Sequence, residues 1–310
     1  MLSPLPYADW EPTKTTLHLW CQIVGKIRLR STAHRNHWWN VTLVPTARGL
    51  STLRMRDGAT LFEIEFDFID HALVLRSNHA HPALSFPLED GLSVAAFYER
   101  VTSMLRELDI DTKIVARPYG VPILTPFARD EEHRHYDRTM VRRWFDAISW
   151  TSGVFEEFAS DFAGKQSPVH LFWHSFDLAM ARYSGRPAGG EPKTDIVGQE
   201  AYSHQVIAFG FWPGDPNTPA PTFYTYTAPE PASLATRTLP DGAAWYPSGA
   251  GHLGSFPYET VRGSGDPKSA LLAFLRAGYD AGTQSAAWDA ATLASSFSGE
   301  RVPAGARILS

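Results

Sequence analysis

The chain has one cysteine, Cys21, in 310 residues. A single thiol excludes an internal disulfide framework and any cysteine-rich zinc or iron–sulfur centre. No apolar run approaches the ~18–20 residues a membrane-spanning helix needs. The start, MLSPLPYADWEPT, has neither a basic flank nor an apolar stretch after it, so no signal peptide is expected and the expected location is cytoplasmic. Basic residues form no block, and the net charge is −5; the electrostatic footprint of a nucleic-acid binder is missing. Also missing are the glycine-rich dinucleotide and P-loop fingerprints, the G-x-S-x-G elbow, the kinase set and HExxH. GAGHLGS (249–255) is glycine-rich but lacks the strand-to-helix context of a phosphate cradle.

What remains is rich in aromatics. With 44% hydrophobic and 20% charged residues a sizeable core is expected, and ten Trp and eighteen Phe point to a rigid core or an aromatic-lined pocket. The most regular stretch is LFEIEFDFIDHALVLRS (61–77). Phe62, Ile64, Phe66 and Phe68 alternate with Glu63, Glu65 and Asp67, and the phase breaks near Asp70, which predicts a hairpin. KIRLR (26–30) alternates too, and reads as a strand whose Lys26, Arg28 and Arg30 neutralise those three acids across the sheet. NHWWNVTLVPTARGLST (36–52) reads as a strand entering a turn, with Trp38 and Trp39 on opposite faces and His37 as a turn cap or an acid/base group.

Residues 91–110 predict an amphipathic helix capped by Ser93, 113–127 a short strand and a proline-rich crossing, and 130–162 one long helix with His133 and His135 on its solvated start. A strand over 169–183, the segment EAYSHQVIAFGFWPG (200–214), a strand TFYTYTA (222–228) and a helix from Asp266 follow. The expected fold is α+β, mainly antiparallel sheet with packing helices. It divides into two similar strand-rich halves each ending in a helix, 1–128 and 129–290, with a loose tail over 291–310.

The candidate chemistry lies in the second half. His170, His174, Glu200 and His204 sit in apolar, aromatic sequence, where polar groups need partners. Two His and one carboxylate with open positions would hold a divalent metal such as Zn or Fe(II). If EAYSHQV forms a helical turn, Glu200 and His204 share a face, and His170 can join from a neighbouring strand. On a strand, His170 and His174 share a face but stand roughly 13 Å apart, so one ion cannot take both. Without metal, Glu200 and a His act as general acid and base. On the same strand Arg182 faces with His170 while Asp177 does not; Arg182 and Tyr202 would orient substrate, and Tyr224 and Tyr226 would add hydroxyls.

The segments QIVGKIRL, NHWWNVTL, FEIEFDFIDH, SPVHLFWHSFDLA, EAYSHQVIAFGFWPG and FYTYTAPEP together resemble a family of uncharacterised bacterial proteins known as a domain of unknown function. The resemblance runs from about residue 10 to 290. It implies a glycine where this chain has His174, while His170, Glu200 and His204 fit it. The resemblance brings no activity. The leading expectation is an enzyme acting on a small molecule through His170, Glu200 and His204. The alternatives are a non-catalytic small-ligand binding protein and a structural or interaction protein.

Overall fold

The structure, a computed structural model, describes residues 2–79, 82–189, 195–249 and 251–295. Six α-helices and two six-stranded antiparallel sheets are formed by the described residues.

The first helix, α1 (Tyr7–Ser31), corrects the strand expected over KIRLR. Leu17, Leu19, Trp20, Ile23, Val24 and Ile27 are all buried, so apolar residues occupy most of its circumference and it runs through the core. Five alternating residues fit either period; the preceding helical run decides. Arg28 and Arg30 instead fall in its last turn, where cations favour the helix dipole.

The first sheet holds β1 (Val44–Pro45), β2 (Gly49–Ser51), β3 (Met55–Asp57), β4 (Thr60–Asp67), β5 (Ala72–Ser77) and β6 (Leu84–Pro87). Its order is β1-β2-β4-β5-β6, and β3 also pairs with β4. The β4–β5 hairpin is the one expected, with Phe62, Ile64 and Phe66 buried. The acids on its outer face take different partners from those expected. Arg76, opposite Glu63 in register, reaches Glu63 and Glu65 at 3.4 and 2.8 Å, and Arg48 holds Asp67 at 2.6 Å.

Helix α2 (Val94–Glu107) starts at the Ser93 cap as expected. The strand expected within 113–127 is absent among the described residues. Pro118, Pro122 and Pro126 lack donors there, and Gln22 of α1 pins the segment by both backbone groups of Tyr119, at 2.9 and 2.8 Å. Helix α3 (Arg138–Ala159) begins later than expected, at the Asp137 cap.

The second sheet has the order β11-β12-β10-β9-β8-β7. Its strands are β7 (His170–Phe172), β8 (Asp177–Pro187), β9 (His204–Trp212), β10 (Thr222–Ala228), β11 (Ala244–Ser248) and β12 (Gly251–Pro257), with the short helix α4 (Ile196–Ala201) before β9. Helices α5 (Tyr258–Arg262) and α6 (Pro267–Ser285) close the chain, α6 at its Asp266 cap. A two-way backbone bridge, Leu43 with Leu171, links the sheets, and one hydrophobic cluster runs through both halves. Of the tail expected to be loose, 296–310 lie outside the described residues. Leu293 accepts a bond from Ala163, and Ala294 bridges to Phe162.

Residues 169–183 form two strands, not one. The chain turns over 173–176, with Phe176 at φ 64° and its N–H bonded to the Phe172 carbonyl. That hairpin reverses the expected facing of Asp177 and Arg182.

Candidate functional site

Partners in register share a sheet face. Ala179 lies opposite Gly210, which lies opposite Tyr224, which lies opposite Ser255; Ala181 lies opposite Ala208 and then Tyr226. The other face carries Arg182, Ile207, Phe209 and Phe223 and is covered by α3 and α6. Gly278 and Gly282 let α6 approach so closely that an added Cβ would fall within 2.7 Å of Thr225 and within 2.6 Å of Ile207. Among the described residues no helix is laid across the face with Ala179, Ala181, Ala208 and Gly210. Small residues make it a shallow floor, and aromatics stand around it. The result is a groove of about 1310 Å³, walled by Trp38, Trp39, Phe172, Trp173, Tyr183, Tyr202, Trp212, Tyr224 and Tyr226, and by Lys26 and Leu29 of α1.

One end of the groove is organised around Asp177. Its carboxylate, 6% exposed, accepts hydrogen bonds from the Ser175 hydroxyl and the Tyr224 phenol. The Tyr224 ring reaches it by lying over Gly210, where an added Cβ would come within 2.3 Å of the ring. Burial raises the Tyr224 and Tyr226 phenols, reinforced by Asp177 at Tyr224 and by Tyr202 at Tyr226. His174 lies beside Tyr119; burial lowers its pKa, against the pull of Asp177. Its backbone carbonyl faces the ring of His18, 3.2 Å away.

The other end is organised around His37. His37 and Trp38 both take left-handed backbone, at φ 56° and 62°. Such backbone persists where the surroundings over-determine it. Here the His37 N–H donates to Glu200 Oε1 at 2.7 Å, and Trp38 Nε1 donates to the Val197 carbonyl at 3.1 Å. The His37 ring stacks on Tyr183 at 4.2 Å, places Nδ1 3.1 Å from the Glu200 carbonyl and places Nε2 2.7 Å from Lys165 Nζ. Trp38 and Trp39 both line the groove, in place of the opposite strand faces expected, because 36–38 is a tight turn.

The residues expected to share one metal separate. Glu200, on α4, accepts the His37 N–H at Oε1, which also lies 3.8 Å from His34 Nε2. His204, at the start of β9, contacts Ser203 at 3.1 Å and turns edge-on to His37 at 5.7 Å. His170, 2% exposed, lines the floor with its ring against Phe172, and burial near Arg28 pushes its pKa down to about 3, which keeps it neutral. Among the described residues no group of three or more His, Cys, Asp and Glu is placed to hold a metal ion.

Arg182 is corrected as well. It is 1% exposed on the covered face, its guanidinium stacked 3.7, 4.9 and 4.7 Å from the rings of Phe158, Phe162 and Tyr279 and bonded to the Phe158 carbonyl. Burial lowers its pKa to about 10. Tyr202 does reach the groove, 3.3 Å from the Tyr226 hydroxyl. Lys165 escaped the sequence reading, since nothing in AGKQSP marks it.

Fold and site together define an α+β protein with an aromatic groove on the open face of its second sheet. The chain belongs to DUF5996, a family of unknown function whose family model matches residues 2–295. No curated protein and no solved structure matches it. No helix among the described residues is long and apolar enough to cross a membrane.

Proposed function

We propose that this protein binds a small organic molecule in the groove over its second sheet, with aromatic rings against the apolar body and Asp177, Ser175 and His174 at one polar end. The observation that carries this is the uncovered sheet face itself. A sheet normally buries an apolar face against another layer. Here that face keeps a floor of Ala179, Ala181 and Ala208 open beneath aromatic walls, and its volume of about 1310 Å³ exceeds the ~300–1,000 Å³ usual for small-molecule pockets. An extended ligand fits such a space.

Acid/base catalysis on the bound molecule is supported by one further observation, the contact of His37 with Lys165. It replaces the metal-dependent version of the expectation, whose residues stand apart. The test is a fragment screen by ligand-observed NMR on the wild type and on Ala208→Trp, which fills the floor from the groove side. Fragments that bind the wild type and lose binding in the folded variant are expected. A set of hits indifferent to the substitution, or no hits, would overturn the reading.

A further inference from the structure

Residues 165–167 run along the free edge of β8. Tyr183 N–H donates to the Lys165 carbonyl and Ser167 N–H to that of Ala181, both at 2.9 Å, while Gln166 bridges to Arg182. Alternation therefore puts Gln166 with Arg182 on the covered face and Lys165 and Ser167 on the opposite one, where Ser167 and the Lys165 partner His37 line the groove. The Lys165 amine sits 5.1 and 5.6 Å from the ring centres of Tyr183 and Trp39. Among the described residues no carboxylate lies within ion-pair distance of it. Glu200, which attracts it, has one carboxylate oxygen bonded to His37. Burial lowers both the Lys165 amine and the His37 imidazole. The network assigns the His37 proton to Nδ1, which donates to the Glu200 carbonyl, and leaves the Nε2 lone pair facing Lys165.

We propose that Lys165 is a nucleophile that forms an imine with an aldehyde or ketone held in the groove, and that His37 moves the protons. This rests on the groove being a small-molecule site. The amine lone pair forms the C–N bond as the carbonyl π pair moves to oxygen. Nitrogen sheds two protons, and His37 Nε2 relays each in turn, the first to the alkoxide to give the carbinolamine hydroxyl and the second to that hydroxyl. The C–O bond breaks, water leaves and the imine remains, with no change of oxidation state. An amine whose charge is disfavoured by burial against aromatic faces, in contact with an imidazole, is the environment that activates lysine for this chemistry.

The chain has six lysines, so each can be followed separately. The full-length protein is treated with benzaldehyde and cyanoborohydride at about neutral pH, digested, and read by mass spectrometry. Lysine acetylation by trace acetic anhydride across a pH series runs in parallel. Burial lowers the Lys165 amine, so Lys165 is expected to label several-fold faster than exposed Lys113. His37→Asn, chosen because Asn tolerates left-handed backbone, is expected to slow imine trapping at Lys165 while the protein stays folded. Labelling of Lys165 no faster than Lys113 would overturn the proposal, and unchanged trapping in His37→Asn would overturn the role of His37. The groove is tested apart from the amine. Trapping of benzaldehyde that persists in Ala208→Trp would refute the groove reading while leaving the reactive lysine standing.

Discussion

The stability of this protein should fall as the medium is acidified, and His170 accounts for a defined part of the fall. Its pKa goes from 6.5 in the open chain to about 3 in the fold, as does that of His18. A folded pKa below the unfolded one means that the unfolded state binds the proton first. The contribution is complete above the unfolded pKa, and it is lost as pH falls from 6.5 towards 3. Between about pH 8 and about pH 5, linkage gives a loss of about 2 kcal/mol for each such histidine. Two of them remove about 4 kcal/mol from a total that is typically about 5–15 kcal/mol. Urea unfolding of the wild type and of His170→Gln at those two pH values isolates the term, because every other titrating group is common to both. The loss should be smaller by about 2 kcal/mol in the variant. Equal losses would mean that His170 is hydrated or charged in the fold, and the dry floor of the groove would be wrong.

Gly210→Ala drives a methyl into the Tyr224 ring and pulls its hydroxyl from Asp177, so a loss of about 2–4 kcal/mol is expected by thermal or urea unfolding. Tyr224→Phe removes the hydroxyl alone, and the double variant should cost less than the sum; simple additivity would separate the two contacts. Arg182→Gln should lower stability by about 2 kcal/mol or more through its lost ring contacts, yet leave fragment binding in the groove unchanged. Weakened fragment binding there would put Arg182 back in the site.

What could be read from sequence was local. The alternation of FEIEFDF is a period of two with no rival, and the hairpin follows from it. The helices over 94–107 and 267–285 carry both a stripe and a cap. The hairpin over 170–187 was hidden because its turn contains neither glycine nor proline. Phe176 takes the left-handed position, wedged between Trp144 at 4.8 Å and His18 at 5.0 Å, so tertiary stacking holds a conformation that sequence alone would assign to glycine. One missed turn was enough to put Arg182 in the site and Asp177 out of it. Tyr202, Tyr224 and Tyr226, grouped from the sequence pattern, do lie together. The meeting of His37 with Lys165 and Glu200 spans 128 and 163 residues of chain, and no spacing rule joins them.

The walls of the groove differ in how freely they can vary. On one side the buried Trp173 ring is packed on the buried Gly25 of α1, so a change of shape there disturbs the fold itself. The facing wall includes α4, six residues with none buried. Substitutions at Ile196, Val197 and Ala201 are therefore expected to disturb the fold least, and libraries built on the proposed groove would tolerate most diversity there.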